Sequence, residues 1–173
     1  MCHGGAVRAL ILIGPPGAGK TTVLTALMDL LTVGNVRYAA FEVESLALVH
    51  PWPDDDAAFA HAEVLARSFG ERGYPLLLVN ATVESPEYLR RLLDAVAPDE
   101  HFLVRLDAPP ALLRERITRR EPPEWTGLQR LLDAVGALAA AHATLSGVDL
   151  SLSTADDDPT AIAAAILEAM GSS

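Results

Sequence analysis

Residues 14–21 of the chain are Gly14-Pro15-Pro16-Gly17-Ala18-Gly19-Lys20-Thr21. An apolar run at residues 7–13 precedes them, and a helical pattern over residues 20–31 follows. The spacing of the glycines, the lysine and the threonine is GxxxxGK[ST], the pattern of a loop that wraps phosphate groups between a strand and a helix. The glycines let backbone N–H groups turn inward, and the start of the helix adds the positive end of its dipole. The segment therefore predicts a phosphate-binding loop.

Lys20 and Thr21 have the chemistry that such a loop needs. The lysine reaches the β- and γ-phosphates of ATP as a point charge, and the hydroxyl that follows it can ligate Mg²⁺. Lys20 is the only lysine among the 13 Lys and Arg residues of the chain. Arginine would be too bulky and forked for this pocket, so the retained lysine favours function over a chance glycine turn. The loop residues predicted to contact ATP are Gly14, Pro16, Gly17, Ala18, Gly19, Lys20, Thr21 and Thr22.

The composition limits the partners of the protein. The length of 173 residues suits one domain, which we expect to extend over residues 1–173. A formal net charge of −10 would repel a phosphate backbone or an anionic membrane surface, which argues against nucleic acid and membrane partners. The single cysteine, Cys2, excludes a disulfide framework, and no apolar run reaches the roughly 18 residues of a membrane helix. We therefore expect a cytoplasmic protein.

Apolar runs alternate with helical patterns along the whole chain. The apolar runs are at residues 7–13, 36–43, 76–79, 102–106 and 148–152, and helices are predicted between them and after the last one. Ser85 and Pro86 are typical of a helix start, as cap and first-turn residue. Unbroken apolar strands that alternate with helices indicate a parallel sheet covered on both faces, so the predicted fold class is α/β.

Two glutamates end the second apolar run, in the segment Phe41-Glu42-Val43-Glu44. A period of two puts Glu42 and Glu44 on one face of the strand, at the sheet edge where parallel folds bind ligands. Phosphotransfer needs one carboxylate for the water shell of Mg²⁺ and another to accept a proton. The third strand ends at Asn80 and not at an acid. We therefore predict that Glu42 is the carboxylate that holds the water shell of Mg²⁺ and that Glu44 is the base. The alternative is a strand end that emerges into solvent.

Four arginines fall within seven residues, at Arg114, Arg116, Arg119 and Arg120. Arg116 and Arg120 are four residues apart and therefore on one face of the predicted helix. The segment 121–125 then ends the helix, which predicts a short lid over about residues 114–126. Arginines on a lid beside a phosphate site stabilise the charge that is transferred, and closure excludes water. The alternative is a solvated face that pairs with neighbouring glutamates.

Together these features resemble the P-loop small-molecule and nucleoside-monophosphate kinase family over nearly the whole chain. Residues 116–120 are similar to the adenylate-kinase lid pattern RIxGR, with Arg119 in place of the glycine. This match implies ATP contacts and a catalytic role for Arg116 and Arg120. Residues 41–46 resemble a segment of the chloramphenicol phosphotransferases, which implies that Glu44 is the catalytic base. The resemblance implies a P-loop NTPase three-layer sandwich, with five parallel strands in the order 2-3-1-4-5.

The sequence departs from this family at the acids and at the lid. Glu42 and Glu44 occur where aspartate is usual, so each carboxylate reaches one methylene further. The lid is short and has no metal-binding cysteines. In this family the loop after the last strand flanks adenine, which implies that residues 153–156 lie beside the adenine of ATP.

The combined prediction is a kinase that uses ATP and Mg²⁺ to phosphorylate a hydroxyl of a small-molecule acceptor. Two alternatives stay open: a nucleoside-monophosphate kinase, and an ATP-binding regulatory NTPase that works with a protein partner. Glu44 and Trp52 are the predicted acceptor contacts, the latter as a stacking surface.

The segment after the two acids predicts the charge of the acceptor. Residues 46–66 contain no Lys or Arg, which favours a neutral or cationic acceptor over an anion. If the acceptor were a monophosphate, Arg67, Arg90 or Arg91 would have to hold it.

Overall fold

Strands and helices alternate along the chain, and the strands form one parallel sheet. The computed structural model describes residues 6–50, 55–156 and 158–172. Within these residues the strands are β1 (Arg8–Ile13), β2 (Tyr38–Glu42), β3 (Leu76–Ala81), β4 (Glu100–Asp107) and β5 (Leu150–Ser153). They lie in the order β2-β3-β1-β4-β5, so the predicted α/β fold and strand order are confirmed.

Helices follow the strands along the chain, and the third of them begins where its capping signal predicts. The helices are α1 (Lys20–Val33), α2 (Asp55–Glu71), α3 (Pro86–Val96), α4 (Pro110–Arg120), α5 (Leu128–Ala143) and α6 (Pro159–Gly171). The hydroxyl of Ser85 accepts a hydrogen bond of 3.1 Å from the backbone N–H of Tyr88, which is the predicted cap of α3. In the described part of the chain, no helix has both the length and the apolar character needed to cross a membrane.

The sheet is buried on both faces, which makes three layers. Along β1 the side chains of Leu10 and Leu12 join the core beneath α1, α4, α5 and α6. Those of Ala9, Ile11 and Ile13 join the core beneath α2 and α3. Because both faces of each central strand are covered, the strands have continuous apolar sequences and not alternating ones.

The strand register brings the carboxyl ends of three strands together. Ile13 at the end of β1 pairs with Ala81 of β3, and Glu42 at the end of β2 pairs with Asn80. The chain therefore leaves β1, β2 and β3 at the same edge of the sheet. On the other side of β1, Asp107 of β4 pairs with Ser153 of β5.

Candidate active site

The loop between β1 and α1 has a conformation that depends on glycine. Gly17 and Gly19 have φ angles of 83° and 81°, in the left-handed region. A Cβ atom at Gly14 would lie 2.3 Å from the carbonyl oxygen of Leu106, and one at Gly17 would lie 2.8 Å from that of Leu113. Backbone atoms of β4 and α4 therefore pack against the loop at a distance that only glycine permits.

Lys20 begins α1 and points back beneath this loop. Its side chain is buried, with a relative exposure of 9%. The amine donates hydrogen bonds to the carbonyl oxygens of Gly14, at 2.8 Å, and Pro15, at 3.3 Å, and to the hydroxyl of Thr82, at 3.0 Å. Thr82 directly follows β3, so Lys20 connects the loop to the end of the neighbouring strand.

Three other predicted site residues influence the pKa of Lys20. Burial is the main reason that the pKa of Lys20 falls to about 8 from its ordinary value near 10.5. The negative charges of Glu44 and Glu42 oppose this fall, and the positive charge of Arg120 adds to it. These three side chains are thus close enough to the amine to influence its charge.

Thr21, Glu42 and Asn80 form a polar corner beside the loop. The hydroxyl of Thr21 donates to the carboxylate of Glu42 at 3.3 Å and accepts from the amide nitrogen of Asn80 at 3.4 Å. Asn80 is buried, and its Oδ1 atom has no hydrogen-bond partner among the described residues. Hydroxyl and carboxylate oxygens are ligands that suit Mg²⁺, so Thr21 and Glu42 fit that ion.

Asn80 is a residue to which the sequence analysis assigns no role in the site. Its only signal in the sequence is its position at the end of a buried strand, where an acid was expected. Among residues 6–50, 55–156 and 158–172, no group of three or more His, Cys, Asp or Glu side chains could hold a metal. This is compatible with Mg²⁺, which usually keeps several waters and takes the rest of its ligands from one or two carboxylates and substrate phosphates.

Glu44 lies in the site, but on a backbone conformation that differs from the predicted strand. β2 ends at Glu42, and Val43–Ser45 form a 3-10 turn, so Glu42 and Glu44 do not share a strand face. The turn buries Val43, and Glu44 accepts a hydrogen bond from the backbone N–H of Thr82. Val43 packs in the same core as Phe41, beneath α2, and the chain turns directly after β2. Both glutamates nevertheless line the same cleft as the loop.

Arg116 of α4 joins the loop to the segment that follows β5. One guanidinium nitrogen donates to the hydroxyl of Thr154 at 2.9 Å and to the carbonyl oxygen of Gly17 at 3.3 Å. The other donates to the carbonyl oxygen of Thr154 at 2.6 Å. The Thr154 hydroxyl also donates to the carbonyl oxygen of Asp107 at 3.2 Å. Arg116 and Thr154 thus brace the far wall of the site, and Thr154 belongs to residues 153–156, for which the resemblance implies a place beside adenine.

The other arginines of the cluster have partners of their own. Arg120 forms an ion pair of 2.6 Å with Glu121, and Arg119 forms one of 3.6 Å with Glu115. Arg114 donates to the carbonyl oxygen of Leu132 and so joins α4 to α5. The predicted pairing with neighbouring glutamates therefore accounts for two of the four arginines, although Arg119 and Arg120 also line the cleft.

The site residues surround one cleft with a volume of about 1250 Å³. Its lining runs from Glu42, Glu44 and Leu48, past the loop, to Trp125 and Thr154. Trp125 is 44% exposed, and a Cβ atom at Gly127 would lie 2.4 Å from its ring, so the ring lies against this glycine. The sequence did not predict a role for Trp125. The predicted acceptor contact Trp52 lies outside the described residues.

Solved structures with a similar fold include several small-molecule kinases. The APS kinase of Mycobacterium tuberculosis, in complex with AMPPNP and APS, has a TM-score of 0.66 and 17% identity, over 96% of this chain and 98% of that one. The shikimate kinase of Acinetobacter baumannii, in complex with shikimate, has a TM-score of 0.58 and 17% identity, over 96% and 94%. A gluconokinase of Sinorhizobium meliloti 1021 has a TM-score of 0.63 and 16% identity, over 95% and 92%. At these identities the likeness establishes a shared fold.

Sequence comparison places the chain in a family. A search of the curated proteins gives no significant match. The family model described as "AAA domain" matches residues 10–142, which include the phosphate-binding loop, both glutamates and the arginines of α4. Because the match extends over well more than half of the chain, this protein belongs to the AAA domain family, and it has the fold of the P-loop kinases.

Proposed function

We propose that this protein is an ATP- and Mg²⁺-dependent kinase that transfers the γ-phosphate of ATP to a hydroxyl group of a small molecule. The observation that carries this proposal is the arrangement around Thr82. Its hydroxyl accepts a hydrogen bond from Lys20, and its backbone N–H donates one to Glu44. A cation suited to phosphate and a carboxylate suited to accept a proton are thus held by one residue.

The loop and its neighbours would bind the nucleotide. The backbone N–H groups of the loop and the Lys20 amine would hold the phosphates, since buried cations bind phosphate oxygens strongly. When bound, Mg²⁺ neutralises charge on the phosphate oxygens, and Thr21, Glu42 and Asn80 would hold it directly or through water. Arg116 and Thr154 would position the wall beside the nucleotide.

Glu44 would act as the base in the transfer itself. It accepts the proton of the acceptor hydroxyl as the oxygen of that hydroxyl forms a bond to the γ-phosphorus. The bond from this phosphorus to its bridging oxygen breaks, and ADP leaves with the electron pair. Arg120 would stabilise the transferred group, because its exposed pair with Glu121 contributes only about 0–1 kcal/mol and can be exchanged for phosphate.

The size of the cleft supports an enzyme with two substrates. Its volume of about 1250 Å³ exceeds the roughly 300–1,000 Å³ of a typical small-ligand pocket. A nucleotide on the loop would leave space beside Glu44, whereas a regulatory NTPase needs no second small-molecule site. This observation favours phosphotransfer to a small acceptor over nucleotide binding alone.

The experiment that tests the proposal measures ADP release from Mg²⁺ and ATP, with and without pools of small hydroxylated compounds. We expect stimulated release with one pool, and a product heavier by one phosphoryl group by mass spectrometry. A protein that binds ATP but releases ADP at the same slow rate with every pool would contradict the proposal and favour the regulatory alternative.

A further inference from the structure

We infer that the acceptor carries no negative charge and is a neutral or amine-bearing alcohol. This inference rests on the proposed function and specifies its second substrate. It concerns the acceptor end of the cleft, which we define by the lining residues Glu42, Glu44, Leu48, Asn80 and Thr82. The acceptor hydroxyl belongs at this end because Glu44 is there, whereas the loop and α4 line the part that suits the nucleotide.

The arginines of the cleft lie away from the acceptor end, and Lys20 meets that end only at the hydroxyl of Thr82, beneath the loop that would hold the phosphates of ATP. The cations among the described lining residues of the cleft are Lys20, Arg116, Arg119 and Arg120. Lys20 begins α1 beneath the loop, and the three arginines belong to α4. The segment that follows Glu44 adds none, since residues 46–66 contain no Lys or Arg.

The three arginines that could have supplied an anion site lie outside the cleft, where each has an acidic partner. Arg91 forms an ion pair with Asp56, and its guanidinium lies 4.6 Å from the centre of the Phe59 ring. Arg67 pairs with Glu63 at 3.4 Å. None of these arginines lines the cleft.

Arg90 is held in the same way on α3. It pairs with Glu87 at 2.5 Å and with Asp94 at 2.8 Å, one turn away on either side. Its charge is thus balanced within its own helix, and it does not line the cleft. Among the described residues, a carboxylate or phosphate on the acceptor would therefore meet no arginine at the acceptor end, and Lys20, which bonds Thr82 there, would already hold the phosphates of ATP.

An anion at the acceptor end would also meet repulsion. The carboxylates of Glu42 and Glu44 and the phosphates of ATP are all negative, and forked arginines are what proteins use to overcome such charge. An ammonium group would instead be attracted. Leu48, which is 72% exposed and lines this end, offers an apolar surface for the rest of the molecule. The site suits an alcohol with an apolar or amine-bearing body.

The test compares alcohols of similar carbon skeleton and different charge, with saturating ATP and Mg²⁺. One set is serinol, glycerol and glycerate; another is phenylalaninol, 3-phenylpropane-1,2-diol and 3-phenyllactate. Uridine and uridine monophosphate form a third comparison. We expect the neutral or amine-bearing member of a set to have a kcat/KM on the order of 100-fold above that of its anionic member, from Coulomb repulsion by the two glutamates.

Weak binding of the same compounds to the ADP-loaded protein gives a second measurement, by ligand-detected NMR, that does not need turnover. Preferred binding or phosphorylation of glycerate, 3-phenyllactate or uridine monophosphate would overturn the inference and leave phosphotransfer intact. No turnover of any compound or of a metabolite pool, with ATP binding preserved, would instead count against the proposed function.

A charge substitution at Leu48 gives a matched control. Leu48→Arg places a cation at the acceptor end, and Leu48→Gln adds polarity without charge. We expect Leu48→Arg, but not Leu48→Gln, to raise the relative binding of the anionic members by roughly tenfold. Equal charge preference in both variants and the wild type would show that the local field does not select the acceptor, and would overturn the inference.

Discussion

Lys20 must be an ammonium ion to hold phosphate oxygens, yet burial lowers its pKa to about 8. Bound phosphate raises this pKa again, so above pH 8 nucleotide binding takes up a proton. By linkage, the affinity for ATP is full below pH 8 and falls as the pH rises through that value, by up to about tenfold per pH unit. Titration calorimetry between pH 7 and pH 9.5 measures this dependence.

Lys20→Met is the control for that pH dependence. We expect it to bind ATP more weakly at pH 7, by roughly 10- to 100-fold, because a charge-assisted hydrogen bond is lost. Its affinity should not change further between pH 7 and pH 9.5. An unchanged slope in Lys20→Met would assign the pH dependence to another group.

Glu44 is the proposed proton acceptor, and its amide replacement separates chemistry from binding. Glu44→Gln keeps a side chain that can accept from the Thr82 N–H but cannot take a proton. We expect kcat to fall by about 10²- to 10⁴-fold, with the Kd for ATP nearly unchanged.

The control for Glu44 is Glu71→Gln, an exposed glutamate at the end of α2 that does not line the cleft. It should keep wild-type kinetics. Full activity of Glu44→Gln across the pH profile would move the role of base to another residue.

At the scale of elements, α4 presents two arginines with different tasks. Arg116 donates three hydrogen bonds to Gly17 and Thr154, so Arg116→Ala should weaken ATP binding and also lower the Tm. Loss of about 1 kcal/mol shifts the Tm of a domain of this size by roughly 2–4 °C. Among the described residues Arg120 pairs only with Glu121, and its own side chain is 60% exposed, so Arg120→Ala should lower kcat by at least about tenfold with little change in Tm.

Calorimetric melting and steady-state kinetics on the same preparations separate the two arginines. Arg130→Ala, at an exposed position on α5 that does not line the cleft, is the control for loss of a guanidinium. Identical changes in Tm and kcat for Arg116→Ala and Arg120→Ala would contradict the division of tasks.

At the scale of the whole molecule, His142 makes the stability of the fold depend on pH. It lies on α5, buried, and neither ring nitrogen has a hydrogen-bond partner in the described part of the chain. Burial, with the positive charges of Lys20 and Arg105, lowers its pKa to about 4. The unfolded chain takes up this proton near pH 6.5, so stability is full above pH 6.5 and declines as the pH falls towards 4, by up to about 3 kcal/mol.

Urea unfolding at pH 7 and pH 4.5 measures this contribution. His142→Leu has no titrating side chain and should lose less stability between the two pH values than the wild type does. Carboxylates contribute to both proteins and cancel in the comparison. An equal loss in the two proteins would show that His142 takes up its proton in the folded state.

Much of the fold could be predicted from local patterns. The glycine spacing placed the loop between β1 and α1, and the Ser85 cap placed the start of α3, because each depends on backbone conformation within a few residues. Apolar runs that alternate with helical patterns were enough for the parallel sheet, since they reflect burial on two faces. The predicted end of β2 was wrong, because the chain turns at Val43–Ser45 although the alternating sequence there fits a continued strand.

The side-chain contacts of the site could not be predicted in this way, because they join residues that are far apart in the chain. The register of β2, β3 and β1 brings Asn80 beside Thr21 and Thr82 beside Lys20. The packing of α4 against the loop decides that Arg116 bonds Thr154 while Arg120 stays at the surface. Residues 14–21 determined that this protein has a phosphate-binding loop, since the required backbone geometry is local. The three-dimensional packing determined which side chains meet around it, since strand register and helix docking are set by the core as a whole.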